Sequence, residues 1–120
     1  MEELQIEIGT GARPDVRILR LTGPFTLSTM FDFQNIVREG AAAVTIVDLG
    51  GVPYMDSAAL GAVLGFHVSC QRLGHRYALT GVSARIRTLF LVAGVDGFLV
   101  CYTTAEEAAA HLAAGGADGA

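Results

Sequence analysis

Apolar and polar residues alternate along Leu4-Gln5-Ile6-Glu7-Ile8, the period-two pattern of a half-buried strand at a sheet edge. Turn-forming residues fill Gly9-Thr10-Gly11-Ala12-Arg13-Pro14-Asp15, and the alternation resumes in Val16-Arg17-Ile18-Leu19-Arg20-Leu21. A hairpin with a long loop is expected, its second strand closed by Gly23-Pro24. The period then changes. Ser28 is placed to cap a helix in which Met30, Phe33, Ile36 and Val37 share one face, with Gly40 as its left-handed stop. Val44-Thr45-Ile46-Val47-Asp48-Leu49 is almost unbroken and β-branched, as in a parallel strand covered on both faces at the centre of a sheet.

After the loop Gly50-Gly51-Val52-Pro53-Tyr54-Met55, a second helix starts at Asp56-Ser57 and runs to about Leu73. Leu60, Val63, Leu64 and Val68 form its apolar stripe and Gly74 ends it. Arg76-Tyr77-Ala78-Leu79-Thr80 reads as a fourth strand. Ser83 caps a third helix whose Ile86, Leu89, Phe90 and Ala93 keep the helical rhythm up to Gly94. Phe98-Leu99-Val100-Cys101-Tyr102 is the expected fifth strand. Thr103 and Thr104 each stand three residues ahead of a glutamate, the capping-box spacing, and open a last helix that runs to about Ala114. This order implies one α/β domain over residues 1–114, with residues 115–120 as a tail that has nothing to pack against. The sheet is expected to be mixed and mostly parallel, five-stranded, with about four helices, right-handed crossovers and an antiparallel first strand.

Composition narrows the function. The 120 residues suit one domain, and a hydrophobic share of 52% with 17% charged residues argues for a folded chain with a fairly apolar surface. Eight basic residues against twelve acidic ones, with no cluster beyond Arg85-x-Arg87, leave no nucleic-acid footprint. The N-terminus carries acids where a signal peptide needs lysines, and no apolar run nears the ~18 residues of a membrane span, so cytoplasmic residence is expected. Cys70 and Cys101 lack metal-ligand spacing and read as small core hydrophobes, while His67, His75 and His111 read as solvated or packed. Phosphate-cradling loops, the dinucleotide fingerprint and the nucleophile elbow are all absent, so neither an enzyme nor a cofactor or metal is expected.

One segment carries candidate chemistry: Asp48 through Gly61, which joins the most buried strand to the start of a helix. In open α/β sheets the crevice beyond the carboxyl ends of the strands is where ligands and functional loops gather. Taken alone, Asp56 or Ser57 is a helix N-cap worth about 1 kcal/mol. Tyr54 and Met55 add bulky apolar groups before the cap, and Ala58, Ala59, Gly61 and Ala62 keep the first turns small, so that a partner could approach closely.

Val47-Asp48-Leu49 followed by Tyr54-Met55-Asp56-Ser57-Ala58-Ala59-Leu60-Gly61 resembles the signature of the STAS family of anti-sigma factor antagonists and their relatives. Leu21-Thr22-Gly23, Leu79-Thr80-Gly81 and Glu106-Glu107-Ala108 extend the likeness over nearly the whole chain. The resemblance implies a non-enzymatic bacterial regulator of transcription that binds an anti-sigma factor doubling as a serine kinase. It implies phosphorylation at Ser57 as the off-switch, and roles for Asp56 in shaping the loop and for Asp48 at the preceding strand's end. The partner surface implied comprises Thr26, Tyr54, Met55, Asp56, Ser57, Ala58 and Gly61. A homodimer is left open. Two departures stand out: Gly23-Pro24-Phe25-Thr26 carries no acid where many members have two, and Ala58 and Ala59 replace a serine and a glycine. Rival readings are a scaffold or adaptor in a larger signalling or lipid-transport complex, and a small-molecule sensor.

Overall fold

The computed structural model describes residues 3–10, 15–39 and 42–113. Nine elements follow one another: β1 (Gln5–Thr10), β2 (Val16–Thr22), α1 (Met30–Glu39), β3 (Val44–Gly51), α2 (Ser57–Leu73), β4 (Arg76–Thr80), α3 (Ala84–Ala93), β5 (Cys101–Tyr102) and α4 (Ala105–Ala113). The sheet order is β1-β2-β3-β4-β5, with β1 antiparallel to β2 and the other pairs parallel. This is the mixed five-stranded α/β architecture with four helices that the periodicity implied. The tips of the first hairpin loop, the Gly40 stop and the tail from residue 114 lie outside the described residues.

Strand alternation sorts the core into two layers. Leu19, Leu21, Val47, Leu49 and Leu79 pack with Phe33, Phe66, Ile86 and Phe90 of α1, α2 and α3. The intervening residues Val16, Ile18, Val44, Ile46 and Ala78 face the other way, against Ala105, Ala108 and Leu112 of α4. β3 is therefore covered on both sides, which is why its run lacks polar alternation. Edge-to-face rings tie the larger layer together: Phe25 to Phe33 at 5.2 Å, Phe33 to Phe66 at 5.9 Å, and Phe66 to Tyr77 at 5.7 Å.

Four local expectations are corrected. Ser28 does not cap α1; its hydroxyl meets that of Thr26 at 3.1 Å, and the Thr26 carbonyl accepts the Thr29 and Met30 amides. Val68 is 56% exposed, because α2 buries Ala59, Leu60, Val63, Phe66 and Cys70, and five residues past Val63 the helix has turned about 140° from that face. β5 spans only Cys101–Tyr102, since the Phe98 amide is spent in a turn onto the Val95 carbonyl, leaving the Phe98 ring 64% exposed. α3 buries Ile86 and Phe90, but Ala93 is exposed at its end, where Gly94 turns the chain away. In α4, the Thr104 hydroxyl accepts the Glu107 amide and the Glu107 carboxylate accepts the Thr103 amide, so Thr104 serves as the cap.

Gly81 seats the β3–α2 loop. Its φ is +67°, and a Cβ there would lie 2.7 Å from the Gly50 nitrogen and 2.8 Å from the Gly50 Cα. Backbone atoms cannot swing aside as a flexible side chain could. Gly81→Ala is expected to destabilise the fold by about 2–4 kcal/mol, read by urea unfolding. Gly97→Ala, where a Cβ meets nothing within 4 Å, should stay close to wild type.

Candidate functional site

The site is built where two chain segments leave the sheet side by side. Beyond β2, Phe25 donates its amide to the Tyr54 carbonyl at 3.2 Å and accepts the Asp56 amide at 3.2 Å, forming a parallel bridge with Met55. Asp56 is the N-cap of α2: its Oδ1 accepts the Ala59 amide at 2.9 Å. Its Oδ2 accepts the Leu27 amide at 3.0 Å. One carboxylate thus fixes both the helix start and the loop after β2, and the choice between Asp56 and Ser57 as cap falls to Asp56.

Ser57 is therefore the first residue inside α2, and it is exposed. No acid follows in the first turn. Tyr54 is 38% exposed and its ring lies under the guanidinium of Arg85, 5.4 Å from the centroid. Thr26 is half-buried, its amide bonded to the Thr29 hydroxyl at 2.9 Å. Ala58 is half-buried, and Gly61, one turn beyond Ser57, is exposed with open space where a Cβ would stand. Met55 departs from expectation: it is 8% exposed and belongs to the core, because its strand-like bridge with Phe25 turns the side chain inward. Ala59 and Ala62 are likewise buried.

Two apolar residues that periodicity passed over complete the surface. Leu27, whose amide Asp56 holds, is 57% exposed, and Phe31, four residues on at the start of α1, is 55% exposed. Arg85 carried no local signal, since only the fold brings α3 to Tyr54.

Asp48 closes the β3 end: Oδ1 accepts the Gly50 amide at 2.9 Å, and Oδ2 lies 3.7 Å from Arg20 Nε. His67 Nδ1 pairs with the Tyr77 hydroxyl at 2.7 Å, and that hydroxyl also accepts the Val100 amide, so His67 is a packed residue. Burial pushes the Tyr77 hydroxyl up to about 12 and the Cys70 thiol up to about 11, which keeps both neutral. Among the described residues no cluster of three His, Cys, Asp or Glu side chains could hold a metal ion, and no helix is long and apolar enough to cross a membrane.

Removing the clamp has a two-part consequence. Asp56→Ala is expected to cost about 1–2 kcal/mol and to speed hydrogen exchange at the Leu27 and Ala59 amides together. Asp56→Asn keeps a single acceptor oxygen, so one of the two amides should stay protected while the other is released.

Comparison with known proteins agrees with this fold. The Bacillus protein SpoIIAA, an anti-sigma factor antagonist solved in its unphosphorylated form, superposes with a TM-score of 0.75 at 20% identity, covering 92% of this chain and 97% of that one. An anti-sigma factor antagonist from Mycobacterium paratuberculosis gives 0.76 at 14% identity, covering 89% and 92%. A murine solute carrier 26 anion transporter gives 0.74 at 14% identity, covering 95% of this chain but 22% of the transporter. The profile of the STAS domain matches residues 8–108, which take in the end of β1, all of β2 to β5 and the Asp56-Ser57 helix start, and the chain belongs to that family.

Proposed function

We propose that this protein is an anti-sigma factor antagonist acting in the cytoplasm, which binds an anti-sigma factor with serine kinase activity and is switched off by phosphorylation of Ser57. The observation that carries the reading is the exposed Ser57 at the first position of α2, set directly after the capping Asp56 and near the exposed Tyr54 and the exposed Leu27, whose amide Asp56 holds. A kinase can reach that hydroxyl without unfolding anything. The apolar rim supplies contact area for a partner that docks on the unphosphorylated surface. SpoIIAA, which shares the fold, has been solved in a phosphorylated form as well as an unphosphorylated one.

The test is incubation with candidate kinases and ATP, followed by mass spectrometry of the intact chain and its peptides. One phosphate on the peptide containing Ser57, and none on Ser57→Ala, is the expected result. Phosphate at another residue, or equal labelling of Ser57→Ala, would overturn it.

A scaffold reading is favoured by one further observation. Leu91, Val92 and Phe98 are exposed around the end of α3, away from Ser57, and offer a second apolar patch. A large particle in size-exclusion chromatography would support the scaffold, and a monomer or dimer the switch.

A further inference from the structure

A cavity of about 510 Å³ lies at the opposite end of the sheet from Ser57, between the C-terminal halves of α1 and α2 and the first residues of β2 and β3. Its lining holds Arg17, Arg38, Arg72 and His75, and none of the described residues lining it is acidic. The whole chain has eight basic residues against twelve acidic ones, so three arginines around one cavity is a local reversal of the protein's charge. Arg17 is the deepest. Its Nη1 donates to the Ile36 carbonyl at 3.2 Å and its Nη2 to the Thr45 hydroxyl at 3.1 Å, both neutral acceptors, while Nε is buried without a partner.

A guanidinium drawn partly out of water and offered only neutral acceptors lacks the counter-charge that buried cations normally have. Desolvation accordingly lowers its affinity for the proton, and burial keeps the neighbouring Cys70 thiol neutral, so no thiolate supplies that charge. Arg38 and Arg72 sit in the last turns of α1 and α2, where they complement the helix dipoles. The dipoles account for a cation at each helix end, but they do not require both to border the cavity that holds Arg17. Gln34 and Ser69 add neutral polar groups, and Val37, Phe66 and Leu73 supply an apolar wall. The volume is in the range of small-molecule sites, which combine such a wall with a few polar groups.

We propose that this cavity binds a small organic anion, a phosphomonoester or carboxylate with a compact apolar body, its charge held by Arg17, Arg38 and Arg72 and its body against Phe66 and Val37. Arginine's planar fork suits the oxygens of either anion. The site is separate from the switch surface, and it does not depend on the function proposed above.

The test is calorimetric titration of the full chain with inorganic phosphate, phenyl phosphate and benzoate at constant ionic strength. At least one of the two aromatic anions should bind saturably with a Kd of about 1 mM or tighter, and phenyl phosphate about tenfold more tightly than inorganic phosphate. The double variant Arg38→Gln/Arg72→Gln, both exposed side chains, should fold normally and lose about tenfold or more in affinity. Ser57→Glu should bind as wild type does. Flotation with phosphatidylcholine vesicles containing phosphatidic acid gives a further arm. Vesicle binding that phenyl phosphate displaces and the double variant lacks assigns the anion to a lipid headgroup. No saturable binding of any probe, or equal binding by a folded double variant, would overturn the proposal.

Discussion

Ser57→Glu is expected to weaken binding to the partner kinase about a hundredfold or more while leaving the fold intact. The cost arises at the interface. A carboxylate at the first position of α2 must be stripped of water beside Asp56, whose own carboxylate is already committed to the Ala59 and Leu27 amides and cannot move away. A buried charge without a counter-ion costs several kcal/mol, and every 1.4 kcal/mol is tenfold in affinity. The free protein escapes that cost, because Ser57 is exposed and a negative group at a helix N-terminus is favoured by the dipole. Its thermal midpoint should therefore stay near that of wild type. Phosphate, with about -1.5 to -2 charges, should act in the same direction and more strongly. Ser57→Ala should retain full affinity, since Asp56 and not Ser57 is the cap. Calorimetry with the purified partner reads all three forms, and equal affinities among folded variants would remove the switch.

Phe33→Ala should be the most destabilising single change described, at about 3–5 kcal/mol out of a total near 5–15. Phe33 is fully buried and is the ring that touches both Phe25 and Phe66, so its loss opens a cavity between α1, α2 and the loop after β2. Neighbours cannot collapse into that space without losing their own edge-to-face contacts. A fall in thermal midpoint of roughly 10–20 °C is expected for a domain of this size. The damage should also reach the site, because Phe25 holds the Tyr54 carbonyl and the Asp56 amide through its own backbone. Phe33→Leu, which refills most of the space, should recover the greater part of both. A loss below about 1 kcal/mol for Phe33→Ala would show that the layer is more loosely packed than the ring contacts imply.

Most elements were readable in the chain because their signals are local. The unbroken run of β3, the αL glycines Gly74 and Gly94 and the Thr104-Glu107 cap all act within a few residues. β5 was over-extended because Phe98-Leu99-Val100 has strand composition, while the turn that claims the Phe98 amide is set by Val95. At the candidate site, Ser57 and Asp56 were readable from the strand-to-helix transition. Leu27 and Arg85 were not, since their contacts with Asp56 and Tyr54 cross between segments about thirty residues apart.

The sequence alone determined the order and kind of the elements and put a serine at the first turn of a helix leaving the central strand, because periodicity and capping are properties of neighbouring residues. Only the tertiary structure decided that Met55 faces inward and Phe31 outward, that one aspartate clamps two segments, and that three arginines border a common cavity. Those outcomes depend on which faces meet when β2, α1 and α2 pack, and a side chain's burial there is fixed by partners that its own segment does not contain.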